Sequence, residues 1–323
     1  MSDTDDVALG PLWAGEQVLS VAAFTKESVN ELFAAADKCK AAVNDEPGCD
    51  KSVLECCKHK VLALVFYEPS TRTNCSFAAA MLRLGGTYLQ VNESSSSVKK
   101  GETLEDTLRC LACYSDLLVL RHPEKGSVAR VSAFLRKPLI NAGDGDGEHP
   151  TQALLDLYTI LKEQGRIEGL TITMLGDLKY GRTTHSLAKL LAMFHVTLNY
   201  VTPPGLEMPE YVKDLVKAGG LVEQNEFSSL DDVIQTTDVL YVTRVQKERF
   251  ASVAEYEKVQ GSFVVDAKVL SEAKTTCCIM HPLPRVGEIA PEVDTFPSAA
   301  YFRQMENGMY VRMALIAKVL NKL

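Results

Sequence analysis

The residues best suited to chemistry begin at Ser70-Thr71-Arg72-Thr73, directly after Glu68-Pro69. Before them runs Val61-Leu62-Ala63-Leu64-Val65, a short apolar run that reads as a buried strand. After them Phe77, Ala80, Met81 and Leu84 recur at helical spacing, which predicts a helix starting between Ser70 and Thr73. Pro69 biases Glu68 away from helical angles, and the hydroxyls that follow suit a helix cap. A strand, a tight turn and a helix N-terminus present unpaired backbone N–H groups and the positive end of a helix dipole. With Arg72 added, the stretch is made for a phosphate or another doubly charged anion. Taken alone it also has a plainer reading, a capped helix with a solvated arginine.

Further candidates fall at the ends of apolar runs. Leu117 to Leu120 reads as a buried strand with Arg121-His122-Pro123 at its C-terminal end. Pro138 to Ile140 reads as a short strand, and Asn141 to Gly147 as a glycine-rich loop. His149-Pro150-Thr151-Gln152 then opens a helix over Ala153 to Glu163. A second series starts with a strand over Thr171 to Leu175, followed by Gly176-Asp177-Leu178-Lys179-Tyr180-Gly181-Arg182-Thr183. That stretch is one residue from a phosphate-binding P-loop, with Arg182 where the motif has lysine. The P-loop lysine is a point charge for phosphates, whereas the planar fork of arginine suits a carboxylate, so the nucleotide reading is rejected. Asp238 to Val242 is a strand leading into Thr243-Arg244-Val245-Gln246-Lys247-Glu248-Arg249, where Arg244 and Gln246 share a face if the strand persists. Cys277 to Met280 is the last strand, ending in His281-Pro282-Leu283-Pro284-Arg285.

Strands alternating with helices predict parallel sheets of the doubly wound α/β class, whose ligands gather at the C-terminal strand ends. The anion turn, Arg121 and His149 all fall at such ends. Helices are also expected over Phe24 to Val43, Thr103 to Tyr114, Gly126 to Leu135, Arg182 to Met193 and Ala299 to Leu320, with further strands over Thr87 to Val91 and Val196 to Val201. The serine-rich, lysine-bearing stretch from Asn92 to Glu102 has no apolar periodicity and reads either as a solvated linker or as a closing lid.

At 323 residues the chain fits two domains, and 46% hydrophobic with 24% charged residues is a globular composition. A net charge of −8 with no basic tract makes nucleic acid a poor partner. No apolar run approaches a membrane span, and the acidic start has no leader pattern, so no membrane is expected and the expected location is the cytoplasm. Nine cysteines include the vicinal pairs Cys56-Cys57 and Cys277-Cys278 and one C-x-x-C, Cys110 to Cys113. Without a second pair or nearby histidines they read as reduced structural thiols, and no metal is expected.

Together these stretches resemble the aspartate transcarbamoylase family from about Leu19 to the end. The resemblance is carried by Ser70-Thr71-Arg72-Thr73, Lys99-Lys100-Gly101-Glu102-Thr103, Arg121-His122-Pro123, Asn141 to Gly145, His149 to Gln152, Gly176 to Arg182, Arg244 to Glu248 and His281 to Arg285. Each motif is weak alone; in this order they are specific. Tyr301 to Gln304 and Asn307 to Ala314 look like the eukaryotic form, a domain of a multifunctional protein that starts pyrimidine synthesis. The resemblance implies a transcarbamoylase fold with an arm over residues 1–18, a carbamoyl-phosphate domain over 19–150, an aspartate domain over 151–297 and a C-terminal helix over 298–323 packed on the first domain. It implies carbamoyl transfer from carbamoyl phosphate to L-aspartate with no cofactor. Ser70, Thr71, Arg72 and Thr73 are then the phosphate site. Thr73, Arg121 and His149 polarise the carbamoyl oxygen, and Gln152 with the carbonyls of Pro282 and Leu283 receives the carbamoyl nitrogen. Arg182, Arg244 and Gln246 grip aspartate, while Ser96 and Lys100 reach the neighbouring subunit's site in a homotrimer, Lys100 helping to bind aspartate there. It leaves room for fusion to carbamoyl-phosphate synthetase and dihydroorotase-like domains.

Two alternatives set the limits. An ornithine transcarbamoylase is expected to carry cysteine where this chain has Pro282, and a Ser-Met-Gly loop instead of residues suited to a dicarboxylate. A non-catalytic scaffold is opposed by the competent residue found at every expected position.

Overall fold

The computed structural model describes residue 13 and residues 15–92, 100–246, 252, 256, 259 and 261–323. The chain divides into two compact units, residues 1–145 with 309–323, and residues 146–308.

The first unit is built on four parallel strands, β1 (Val61–Phe66), β2 (Thr87–Asn92), β3 (Leu117–His122) and β4 (Leu139–Asp144), in the order β2-β1-β3-β4. The central strands are continuous apolar runs because both their faces are covered, and Leu62, Ala63, Leu64, Val65, Leu117, Leu118, Val119 and Leu120 are all fully buried. β2, at the edge, is more exposed and carries polar residues. Helices α1 (Lys26–Val43), α2 (Thr71–Arg83), α3 (Leu104–Tyr114) and α4 (Ser127–Ser132) flank the sheet. Thr25 and Ser28 close a capping box at the start of α1. One core cluster packs Val65, Leu118 and Leu120 of the strands against Leu108 of α3 and Val128 and Val131 of α4.

Residues expected to form an arm are in part built in. Val18 is buried and pairs with β4 through a bridge to Ile140, donating to Leu139 O and accepting from Asn141 N at 2.8 Å each. β4 itself corrects the sequence reading, which places a loop over Asn141 to Gly147. The strand continues to Asp144, because Asn141 is buried and its amide donates to Leu19 O and to Asp144 Oδ1 at 2.9 and 3.2 Å. A polar residue thus replaces apolar packing with specific partners.

The second unit carries five parallel strands, β5 (Thr171–Leu175), β6 (Val196–Val201), β7 (Val222–Phe227), β8 (Val239–Val242) and β9 (Cys278–Met280), in the order β7-β6-β5-β8-β9. Its helices are α5 (Pro150–Gln164), α6 (Arg182–Leu191), α7 (Glu210–Ala218) and α8 (Ala267–Glu272), and α9 (Tyr301–Val319) starts here and ends in the first unit. Leu175, Val201, Leu240, Val242 and Ile279 form the core with Val265, Val293 and Tyr301. The sequence reading left α7, β7 and α8 undescribed; β7 is an edge strand with an incompletely buried, charged sequence, and α8 buries no residue.

In both sheets the chain runs outward from the centre in opposite directions. The point of reversal lies between β1 and β3 in the first unit and between β5 and β8 in the second. In doubly wound sheets the connections leave to opposite sides at such a point, and ligands gather beyond the C-terminal strand ends there.

Candidate active site

In the first unit, the turn after β1 and the end of β3 meet at this reversal. Phe66 pairs with Arg121, and Tyr67 N donates to Arg121 O at 2.9 Å, so the start of the turn is fixed to the strand that carries Arg121. Arg121 sits with its Nε 2.9 Å from a Glu68 carboxylate oxygen and donates from Nη1 to Ala142 O at 3.3 Å. Its side chain is only 13% exposed, which reduces solvent screening of the pair. Glu68 is therefore the counter-ion that compensates the largely buried guanidinium, and an arriving anion competes for the same donors.

Ser70 precedes α2 at the capping position but makes no side-chain cap bond, contrary to the capping role the sequence suggests. At a φ of −157° and ψ of 81° its carbonyl takes up the helix, accepting from Asn74 N at 3.1 Å. Thr71 and Arg72 are exposed on the first turn of α2, and Thr73 is buried. A hollow of about 490 Å³ lies beside this turn, lined by Glu68, Ser70, Thr71 and Asn74 with Gln90 and Asn92 of β2. Among the described residues the hollow is lined by the turn's hydroxyls and no arginine; a helix N-terminus with Arg72 on its first turn has the chemistry to hold a phosphate dianion.

In the second unit the corresponding reversal joins the exits of β5 and β8. Gly176 has a φ of +117°, and a Cβ there would collide with the carbonyl of Thr243. Glycine is what lets the two exits pass at this distance. The buried Asp177 carboxylate then accepts the backbone N–H of Tyr180 at 3.0 Å through one oxygen and that of Gln246 at 3.3 Å through the other. Gln246 Nε2 adds a bond to Tyr180 O at 3.0 Å. Burial pushes the Asp177 carboxyl up from its ordinary value, against the pull of these backbone donors. The residues after β8 therefore do not continue as a strand; Arg244 and Gln246 are placed by the Asp177 turn and not by alternation. Arg182 is the first residue of α6 and donates its N–H to Tyr180 O at 3.0 Å, so Arg182, Arg244 and Gln246 all leave one hydrogen-bonded junction.

The same unit holds further candidates for the carbamoyl group, His149, Gln152, Pro282 and Leu283. His149 precedes α5, is 3% exposed, and donates its backbone N–H to Ser186 Oγ at 3.1 Å. Gln152 lies one turn on, with Nε2 donating to Asp156 Oδ1 at 2.8 Å. After β9, Leu283 N donates to His281 Nδ1 at 2.7 Å, which leaves Nε2 as the protonated nitrogen facing Glu288 Oε1 at 2.7 Å. This clasp holds Pro282 and Leu283, with Leu283 at a φ of 57° that leucine rarely adopts.

Lys100 is exposed at the start of a described segment, whereas residues 93–99 of the stretch expected as a lid, Ser96 among them, lie outside the described residues, as do Lys247 to Arg249. All nine cysteines are free thiols; Cys110 and Cys113 are exposed on α3. Among the described residues no cluster of histidine, cysteine and acidic side chains is arranged to hold a metal, and no helix is long and apolar enough to cross a membrane. Sequence reasoning missed Glu68, Asp156, Asp177 and Glu288 as site-building residues. Only Asp156, one helical turn after Gln152, was signalled by its spacing.

Residues 16–162 match the family described as aspartate/ornithine carbamoyltransferase, carbamoyl-P binding domain, and residues 168–319 match its Asp/Orn binding domain. The chain belongs to the aspartate/ornithine carbamoyltransferase family. Within that family it is 50% identical over 304 residues to the aspartate carbamoyltransferase catalytic subunit of Thermoplasma acidophilum, covering 94% of this chain and 97% of that one. It is 53% identical over 307 residues, 95% of its length, to the multifunctional protein pyr1-3 of Dictyostelium discoideum, and spans only 14% of that protein. Among solved family structures, aspartate transcarbamoylase from Trypanosoma cruzi in complex with carbamoyl phosphate and aspartate superposes with a TM-score of 0.89 at 40% identity, covering 97% of this chain and 99% of that one.

Proposed function

We propose that the chain is an aspartate carbamoyltransferase, transferring the carbamoyl group of carbamoyl phosphate to the amine of L-aspartate in pyrimidine synthesis. The observation that carries the choice of acceptor is the junction at the second unit's strand reversal, where Asp177 ties together the segments bearing Arg182, Arg244 and Gln246. Two guanidinium groups and an amide suit a dicarboxylate, and offer nothing to the cationic side chain of ornithine.

In this reading Ser70, Thr71, Arg72 and Thr73 hold the phosphate. Thr73, Arg121 and His149 face the carbamoyl oxygen, which becomes negative as the amine attacks the carbonyl carbon. Gln152 and the carbonyls of Pro282 and Leu283 receive the carbamoyl NH2. The C–O bond to phosphate then breaks, phosphate leaves with the bonding pair, and the former amine releases its proton. Holding aspartate by both carboxylates removes most of the orientational freedom that the attack otherwise has to overcome. The acceptor carboxylates and the phosphate are all anionic, which explains local arginines in a chain of net charge −8.

The proposal extends to a cytoplasmic homotrimer in which Ser96 and Lys100 of one subunit complete a neighbour's site, and to a place beside further catalytic domains in a longer polypeptide. The similarity to multifunctional proteins such as pyr1-3 supports the last point. The deciding experiment measures product formation from carbamoyl phosphate with aspartate, ornithine or no amine. Turnover with aspartate alone is expected; turnover with ornithine would overturn the reading of Arg182, Arg244 and Gln246.

A further inference from the structure

Asp156 lies on α5 one turn beyond Gln152 and is fully buried. Side chains from three separate elements donate to it. Gln152 Nε2 reaches Oδ1 at 2.8 Å, Gln304 Nε2 of α9 reaches the same oxygen at 2.6 Å, and Tyr241 OH of β8 reaches Oδ2 at 2.7 Å. Gln304 is itself fully buried, and its Oε1 accepts the backbone N–H of His281 at 2.9 Å, directly before Pro282 and Leu283. Burial and the adjacent Asp156 raise the Tyr241 hydroxyl well above its ordinary value, so it stays a donor.

A side-chain amide has a donor end and an acceptor end, and its orientation is set by what each end meets. A carboxylate accepts and does not donate, so each glutamine facing Asp156 must present its NH2. We propose that Asp156 is a positioning residue that fixes the polarity of the carbamoyl-nitrogen subsite. By taking the NH2 of Gln152 it leaves Oε1 of that residue as the end presented to ligand. By taking the NH2 of Gln304 it turns that residue's Oε1 to His281 N and so holds the Pro282-Leu283 segment, whose carbonyls are further acceptors. One buried carboxylate thus makes the subsite an acceptor surface, matched to an NH2 and mismatched to a methyl group or a second acceptor. This rests on the assignment of Gln152, Pro282 and Leu283 to the carbamoyl nitrogen given above.

The test compares two stable ligands that differ only at that position, phosphonoacetamide, which carries the NH2, and acetonylphosphonate, which carries a methyl group. Their affinity ratio is measured for the unmodified protein, Gln152→Met, Asp156→Leu and the double variant. The unmodified protein is expected to prefer the amide by about tenfold or more, since the methyl ligand leaves buried acceptors unpaired. Gln152→Met and Asp156→Leu should each bring the ratio most of the way toward one. Asp156→Leu should lower it little further in the Gln152→Met background. A general loosening of the fold weakens both ligands and leaves the ratio in place.

Retention of the native ratio by Asp156→Leu overturns the proposal, as does a full additional loss in the double variant. A native ratio in Gln152→Met overturns the assignment of Gln152 itself, and the proposal falls with it. Should Asp156→Leu fail to fold, neutron diffraction on the deuterated unmodified protein decides the matter. ND2 groups of Gln152 and Gln304 both directed at Asp156 support the proposal, and the Gln152 carbonyl oxygen directed there overturns it.

Discussion

Arg121 is the last residue but one of β3, a strand whose first four residues are buried, with Glu68 2.9 Å from its Nε. Its backbone position is fixed by pairing with β1, which holds the guanidinium at the strand exits, where an arriving oxyanion competes with Glu68 for its donors. Replacing it with alanine is expected to lower kcat by about 10²–10³, the usual cost of one preorganised donor to a developing oxyanion, measured under saturating substrates. Arg182 calls for a different replacement, because its proposed role depends on shape as well as charge. Arg182→Lys keeps the cation and loses the planar fork, so the KM for aspartate should rise about tenfold or more while that for carbamoyl phosphate changes little. The arginines and hydroxyls of the proposed site stood out in the sequence because they follow apolar runs that read as strands. The acidic residues that place them were not. Glu68 and Asp177 act through partners 53 and 69 residues away at Arg121 and Gln246, separations that no local pattern encodes.

At the level of elements, continuous apolar runs such as Leu117 to Leu120 were read correctly because a strand covered on both faces must be apolar throughout. The polar end of β4 was misread as loop, since Asn141 is held by Leu19 O and Asp144 from outside any periodicity. The exit of β8 departs from strand geometry because Asp177 draws Gln246 N toward itself. The passage of the two exits also depends on Gly176, and Gly176→Ala is expected to destabilise the protein by about 1–3 kcal/mol, seen in denaturant unfolding, because it combines an unfavourable φ with a collision at Thr243 O. The segment after β9 has a pH signature of its own. Burial works to raise the Glu288 carboxyl, but the hydrogen bonds from His281 and from Val286 N outweigh it and hold the group below its ordinary 4.5. A carboxylate with a depressed folded value stabilises the protein above the unfolded value and loses that contribution as pH falls through the folded one. Stability should therefore drop on the acid side of 4.5, and Glu288→Gln should flatten that limb while lowering stability at neutral pH; thermal unfolding as a function of pH reads both effects.

At the level of the whole molecule, two doubly wound parallel sheets followed directly from the alternation of strands and helices, and the segments bearing Ser70 to Thr73, Arg121, Arg182, Arg244 and Gln246 lie at or beyond the C-terminal ends of the strands on either side of the two reversals. Spacing alone gives Lys100 no partner; its assignment to a neighbouring subunit's site comes from the family resemblance. The proposed trimer makes that assignment testable. If each site takes Arg72 from its own subunit and Lys100 from a neighbour, Arg72→Ala and Lys100→Ala should each be inactive as homotrimers. When the two are unfolded, mixed in equal amounts and reassembled, a site is intact only where a subunit with native Arg72 meets a neighbour with native Lys100 on the correct side. Random assembly into a cyclic trimer makes this true of about a quarter of sites, so activity should return to about that fraction of the native level. Mixing without exchange should restore none, and a fluorescence-transfer signal between differently labelled subunits reports exchange independently. Full exchange without recovery would mean that Lys100 serves its own subunit's site, and the lid would then belong to a site complete within one chain.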